Sequence, residues 1–138
     1  MAEDQENRTE EASEKKIREA VEQGNVDQVR ELFRADAVFR SPVLFKPYEG
    51  RDQLRMILSA VVEVFEGFRY VDQIEAGDSA ALVFETEVEG RRLDGVDLLR
   101  FGDDGRIREL IVMVRPMSGV HALAEAMRKR LEAAGANV

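Results

Sequence analysis

Polar and apolar residues alternate along this chain with two different periods, and the switches between them divide it into elements. From about Ser13 to Gln23, Ile17, Ala20 and Val21 fall at helical spacing. Gly24 suits a helix stop, because glycine adopts positive φ without steric penalty. Asn25 suits the cap of a second helix that carries Val26, Val29, Leu32 and Phe33 on one face. The period then shortens. Ala37 to Ser41 predicts a short strand, and Pro42 ends it. Val43 to Gly50 reads as a loop restrained by Pro42 and Pro47. From Arg51 the helical spacing returns with Leu54, Ile57, Leu58, Val61, Val62 and Phe65, a face wide enough to meet more than one element.

Four strands follow: Phe68–Ile74, Ala80–Glu89, Arg92–Phe101 and Arg106–Arg115. Gly77-Asp78, Gly90 and the run Gly102-Asp103-Asp104-Gly105 separate them. In the second, Leu82, Phe84, Thr86 and Val88 share one side, while Val83, Glu85, Glu87 and Glu89 share the other. Val120, Leu123, Ala124, Met127 and Leu131 predict a C-terminal helix. The fold class is α+β, an antiparallel sheet packed on helices, with one domain over residues 15–134.

The last two strands are apolar on both faces. Leu110, Val112 and Val114 lie on one side and Ile111 and Met113 on the other; Leu99 and Phe101 likewise oppose Val96 and Leu98. A sheet with one wet face alternates instead. The second face therefore needs a cover, and a second copy of the sheet supplies one, which predicts a homodimer through the outer face. The competing reading has the C-terminal helix cover that face within one chain.

Composition narrows the function. The net charge of −8 is concentrated in the first fourteen residues, which hold six acidic side chains against Arg8 alone and read as an acidic, disordered leader. No basic stripe points to nucleic acid, and no run reaches the ~20 apolar residues that a membrane helix needs. There is no cysteine and only one histidine, His121, so a thiolate or histidine metal site is not expected. The absence of cysteine fits a cytoplasmic protein.

Several phrases, in order, resemble the nuclear transport factor 2-like superfamily, and within it the SnoaL-like group of polyketide cyclases and ketosteroid isomerases. They are Gly24-Asn25, then Phe33-Arg34-Ala35-Asp36-Ala37-Val38-Phe39 leading into Ser41-Pro42, then Tyr48-Glu49-Gly50-Arg51-Asp52, and finally Gly95-Val96-Asp97-Leu98-Leu99-Arg100-Phe101 with Gly105-Arg106-Ile107 following. The resemblance spans Lys15 to Arg115. It implies a cone-shaped, barrel-like domain in which a strongly bent sheet wraps helices around a pocket open at one end. It also implies a small hydrophobic ligand and no cofactor. Of the three groups that ketosteroid isomerases use, the tyrosine position holds Ile17 and the general-base position holds Ser41; the oxyanion-hole acid is kept as Asp97. A serine hydroxyl does not take a proton from carbon unless another group activates it. The two acids and arginine of the epoxide-hydrolase relatives also find no match, since Leu110 to Val114 contains no acid.

Two candidates for catalysis emerge. Asp97 shares a strand face with Gly95, Leu99 and Phe101, where desolvation would raise its pKa and let it donate a hydrogen bond to a carbonyl. Pairing with an arginine or capping a backbone group is the alternative. His121, near the start of the last helix, could reach the pocket mouth or simply face water. Ser41, Tyr48, Phe84, Thr86, Leu110, Val112 and Val114 are the expected ligand-binding lining, against a plain core role for the apolar ones and a backbone contact for Ser41. The reading that follows is a binding domain for a small hydrophobic molecule. Its enzymatic alternative is a cofactor-free isomerase, cyclase or dehydratase with Asp97 as polarising acid.

Overall fold

Strict alternation makes the fourth strand the spine of the sheet. In β4 (Ser79–Val88), Ala80, Leu82, Phe84, Thr86 and Val88 are all buried, and the residues between them are not. The computed structural model describes residues 15–135; the acidic leader lies outside them. The elements are α1 (15–22), α2 (Val26–Glu31), β1 (Phe33–Arg40), β2 (Tyr48–Glu49), α3 (Arg51–Val64), β3 (Glu66–Ala76), β4, β5 (Arg91–Phe101), β6 (Ile107–Arg115) and α4 (Met117–Ala133). The local signals act as their chemistry requires. Gly24 has φ +70 after α1, and the Asn25 carboxamide accepts from Gln28 N at 3.1 Å to cap α2. Two-residue turns join β3 to β4 and β4 to β5; in the second, Glu89 and Gly90 both have positive φ, as a type I′ turn demands.

The strands form a single sheet in the order β2-β1-β6-β5-β4-β3. Two expectations change here. The sheet is mixed, because β1 runs parallel to β6. Hairpin turns force β3 to β6 to be antiparallel. β1 instead reaches β6 through a long crossover that contains α3, so no turn fixes its direction. The sheet is also curled but open, with β2 and β3 as its edges, and it does not close into a barrel. Near its start β1 slips against β6: Phe33 pairs with Ile107, but Val38 already pairs with Glu109. The Arg51 guanidinium, at the first turn of α3, donates to the carbonyl of Phe33 from Nε at 2.9 Å and Nη2 at 2.7 Å. That side chain supplies partners where the ladder shifts.

α1, α3 and α4 pack on the inner face. Ile17 and Ala20 of α1, Leu54, Ile57 and Ala60 of α3, and Leu123, Met127 and Leu131 of α4 are buried with the inner residues of the strands. α4 contacts β4, β5 and β6 from this side, and a Cβ on Gly119 would come within 2.9 Å of Leu93 Cγ. Among the described residues the outer face is thus left without a helix.

One contact sets the shape of the inner layer. Phe84 and Gly95 are register partners, and the Phe84 ring lies directly on the glycine: an added Cβ would sit 2.3 Å from Cζ. Phe65, Phe68 and Tyr70 surround the same ring at centroid distances of 5.9, 5.0 and 6.4 Å. Gly95→Ala is therefore expected to destabilise the domain by about 1–3 kcal/mol in denaturant unfolding, the usual effect of overpacking. Adding Phe84→Leu should recover part of that loss, and strictly additive losses in the double-mutant cycle would disprove the contact's role.

Candidate functional site

The inner face of the sheet can be followed as rows of register partners. One row is Phe84–Gly95–Val114, the next is Leu82–Asp97–Val112, and the next is Ala80–Leu99–Leu110. The first is filled by the Phe84 ring. Beyond it, between the second and third rows and the helices, lies a cavity of about 320 Å³. Its wall is made by Ile17 and Val21 of α1, Ile57, Leu58 and Val61 of α3, Phe65 and Phe68, and Leu123, Met127 and Leu131 of α4, with Phe39, Leu99, Leu110 and Val112 from the sheet. The polar groups on this wall are few: Ser41, Tyr48, Tyr70, Asp97 and Arg128.

Asp97 is the only acidic residue among the described residues that line the cavity. It is half-buried, and Tyr70 Oη donates to its Oδ2 at 2.7 Å. Burial among apolar neighbours pushes its carboxyl up to about 6, and the bond from Tyr70 holds it back from rising further. The Tyr70 phenol is raised well above its ordinary value, first by its own burial and then by the Asp97 carboxylate beside it. Its ring is fixed edge-on to Phe68 and Phe84, and the Arg18 guanidinium lies 5.9 Å from its centroid. Arg18 also donates to Gln73 Oε1 at 3.2 Å.

Of the expected lining, Ser41, Tyr48, Leu110 and Val112 do face the cavity. The Ser41 hydroxyl is engaged locally, accepting from Val43 N at 3.0 Å and Leu44 N at 3.2 Å, so it shapes the loop after β1. Tyr48 is packed near Phe39, and burial raises its phenol. Phe84, Thr86 and Val114 do not line the cavity. Phe84 is spent on Gly95 and the aromatic cluster. Thr86 is buried and donates to Glu66 O at 2.9 Å, closing the irregular end of the β3–β4 ladder. Val114 lies one inward step past Val112, on the filled side of Phe84, and packs into the core. His121 lies on the exposed side of α4, away from the buried stripe of Gly119, Leu123, Ala126, Met127 and Leu131. It is not part of the cavity wall.

The mouth is marked by residues that both line the cavity and meet solvent: Val43, Leu44 and Arg128. Arg128 is held there by Glu125 and Glu132 on its own helix, with Nη1 at 3.0 Å from Glu132 Oε1 and Nε at 3.2 Å from Glu125 Oε2. Among the described residues no group of acids and His121 is arranged to hold a metal ion, and no helix is long and apolar enough to cross a membrane.

From the sequence Tyr70 reads only as a phenol at a pocket rim, and Arg128 carries no role. Tyr70 precedes a register shift, with Tyr70 opposite Phe84 but Asp72 already opposite Val83. Strict alternation across that bulge could not pair it with Asp97. Arg128 had a signal in its position, one residue after the apolar Met127.

Comparison with known proteins agrees with this architecture. The chain superposes on a steroid delta-isomerase from Pseudomonas aeruginosa with a TM-score of 0.86 and 42% identity, covering 91% of this chain and 93% of that one. A bacterial protein of cystatin-like fold from Silicibacter pomeroyi gives 0.84 and 32%, covering 87% and 85%. SalBIII, an epoxide hydrolase/cyclase-like enzyme of pyran ring formation in salinomycin, gives 0.70 at 21% identity, covering 83% and 96%, a likeness of fold alone. No curated protein matches the chain. Residues 15–110 match the model of the SnoaL-like domain. With its open curled sheet, helix-lined cavity and inward Asp97, the chain belongs to the SnoaL-like family, with a nuclear transport factor 2-like fold.

Proposed function

We propose that this domain binds a small hydrophobic molecule, anchored through one polar group to Asp97. The observation that carries this reading is the contrast inside the cavity: an almost wholly apolar wall with a single carboxyl on it. At about 320 Å³ the cavity sits at the lower end of the range typical of ligand pockets, about 300–1,000 Å³. Apolar lining supplies the affinity, and the one polar group fixes the orientation. Ser41, Tyr48, Leu110 and Val112 are the neighbouring contacts. His121, on the exposed side of α4, is not among the contacts of this reading.

A second reading has turnover as well as binding. Its support is the 42% identity with a steroid delta-isomerase and the raised carboxyl of Asp97. In its protonated form Asp97 donates to a ligand carbonyl and stabilises charge developing on that oxygen. Among the described residues no second carboxylate lines the cavity to act as base.

The outer sheet face supports the homodimer. Ala81, Val83, Val96, Leu98, Ile111 and Met113 form an apolar belt on register-paired strands, continued by Ile74. Ion pairs flank it on both sides: Arg69, Arg92 and Arg115 with Glu85 and Asp94 at one border, and Arg40 and Arg100 with Glu109 at the other. α4 is committed to the inner face, so it leaves this belt open to a second copy. The reading extends to a cytoplasmic protein, on the absence of cysteine alone.

Three outcomes check these proposals. Asp97→Asn keeps the acceptor for Tyr70 but removes the titrating proton. In a binding panel of hydrophobic alcohols at pH 8 it should weaken retention about tenfold, and with a β,γ-unsaturated ketosteroid it should abolish any turnover the parent shows; parent-like behaviour throughout would remove Asp97 from the site. The same variant tests the charge state. Asp97 titrates near its ordinary 3.8 when unfolded and about 6 when folded, so the folded state holds the proton more tightly. Its contribution is complete below pH 4 and is lost as pH rises through 6. Relative to Asp97→Asn, the parent should lose roughly 2 kcal/mol between pH 4 and pH 7, and parallel stability profiles would refute the assignment. Finally, sedimentation at micromolar concentration should find a dimer that Leu98→Glu converts to a folded monomer; a monomeric parent would end the dimer reading.

A further inference from the structure

The Tyr70–Asp97 pair decides what kind of polar group the cavity accepts. A phenol has a single proton, and Tyr70 directs it at Asp97 Oδ2. It cannot also donate to a ligand from that geometry. The ring has no freedom to redirect it, being buried, edge-on to Phe68 at 4.9 Å and to Phe84 at 6.4 Å, and faced by Arg18. Asp97 is thereby held as an acceptor, with Oδ1 taking no hydrogen bond among the described residues. The rest of the wall offers a ligand little else of this kind. Ser41 Oγ is already accepting from two backbone N–H groups, and Arg128 is bound at the mouth by Glu125 and Glu132.

We infer that Tyr70 is a positioning residue that presents Asp97 to the ligand as a hydrogen-bond acceptor, so that at neutral pH the cavity selects hydrophobic alcohols and phenols over the corresponding ketones. The ligand's hydroxyl donates to Asp97 Oδ1 while its apolar body fills the cavity. A ketone of the same shape has no proton to offer and leaves two acceptors facing each other, which opposes binding. The preference reverses when Asp97 takes up a proton, because the acid then donates to the carbonyl. The charged or titratable groups facing the pair are Arg18 and Glu22 of α1, with Tyr48 and Arg128 on the cavity wall. Those on α1 act on Tyr70 in opposite directions, Arg18 easing and Glu22 opposing its ionisation. The inference rests on the ligand-binding reading above and adds the class of ligand to it.

The test uses a matched pair, β-tetralone and β-tetralol, displacing the neutral dye Nile red from the full chain between pH 5 and pH 8. The parent should favour the alcohol about tenfold at pH 8, the effect of a hydrogen bond to a charged group, and lose or reverse that preference on acidification. Tyr70→Phe keeps the ring and its packing but removes the donor. It should move the crossover to higher pH and strengthen ketone binding at neutral pH, an outcome that a merely structural role for Tyr70 would not produce. Asp97→Asn should flatten the pH dependence for both ligands. Carbon-13 titration of the Asp97 carboxyl in the parent and in Tyr70→Phe gives the same comparison without ligand, and the variant should titrate at higher pH. A pH-independent alcohol-to-ketone ratio in the parent, or an unmoved crossover in Tyr70→Phe, overturns the inference while the cavity keeps its ligand. If neither compound displaces the dye in the parent at any pH, the ligand-binding reading itself fails, and the inference with it.

Discussion

The site depends on a glycine that gives way to an aromatic ring. Because residue 95 has no side chain, the far end of the Phe84 ring reaches the β5 backbone. Phe65, Phe68 and Tyr70 then close around it. This cluster fills one end of the inner face, and the cavity begins where the cluster ends. It also fixes the ring of Tyr70, and Tyr70 in turn fixes Asp97. Packing and polarity are thus linked in one chain of contacts. An interior packed as densely as an organic crystal transmits a displacement of one ring to the next, so the orientation of the carboxyl is set from a position one register row away.

The cavity's electrostatics follow from the same economy of polar groups. A lone carboxyl in apolar surroundings is disfavoured as an anion, and a single phenolic hydrogen bond partly restores it. The result is a group poised near 6, close to the range in which acid–base chemistry is useful. The steroid delta-isomerase to which the chain is similar shares 42% of its residues. In this cavity Ile17 and Ser41 share the wall with Asp97, and the phenol that reaches the acid comes from β3.

Periodicity made the elements legible. The alternation in β4, the glycine-marked turns and the helical spacing of Leu54, Ile57 and Leu123 carried enough information to give the order of the longer elements and which face of β4 is buried; the two-residue β2 lies inside the stretch that reads as a loop, and Phe33, placed on the second helix by its spacing, opens β1. Depth along the strand was not legible. Val112 and Val114 are equivalent to a period of two, but only the first reaches the cavity, because Phe84 occupies the space beside the second. Thr86 was similarly inward by phase and yet committed to a carbonyl of β3. The parallel pairing of β1 escaped because a crossover, unlike a hairpin, leaves strand direction open. The Tyr70–Asp97 bond escaped because a bulge breaks the phase of β3 just after Tyr70.

The parallel β1–β6 pairing has a consequence for how the molecule is made. β1 is an early strand, but the ion pair between Arg40 and Glu109 joins residues 69 positions apart. The chain must therefore close a long loop before β1 gains its main neighbour, and contacts of that separation are slow to form. The β3–β6 meander is built from adjacent hairpins and needs no such search. On the ribosome, the N-terminal helices and β1 emerge first but must wait for the last strand to dock against. The cavity, walled by α1 and α3 from early in the chain and by β5, β6 and α4 from late in it, is complete only when the two parts have met.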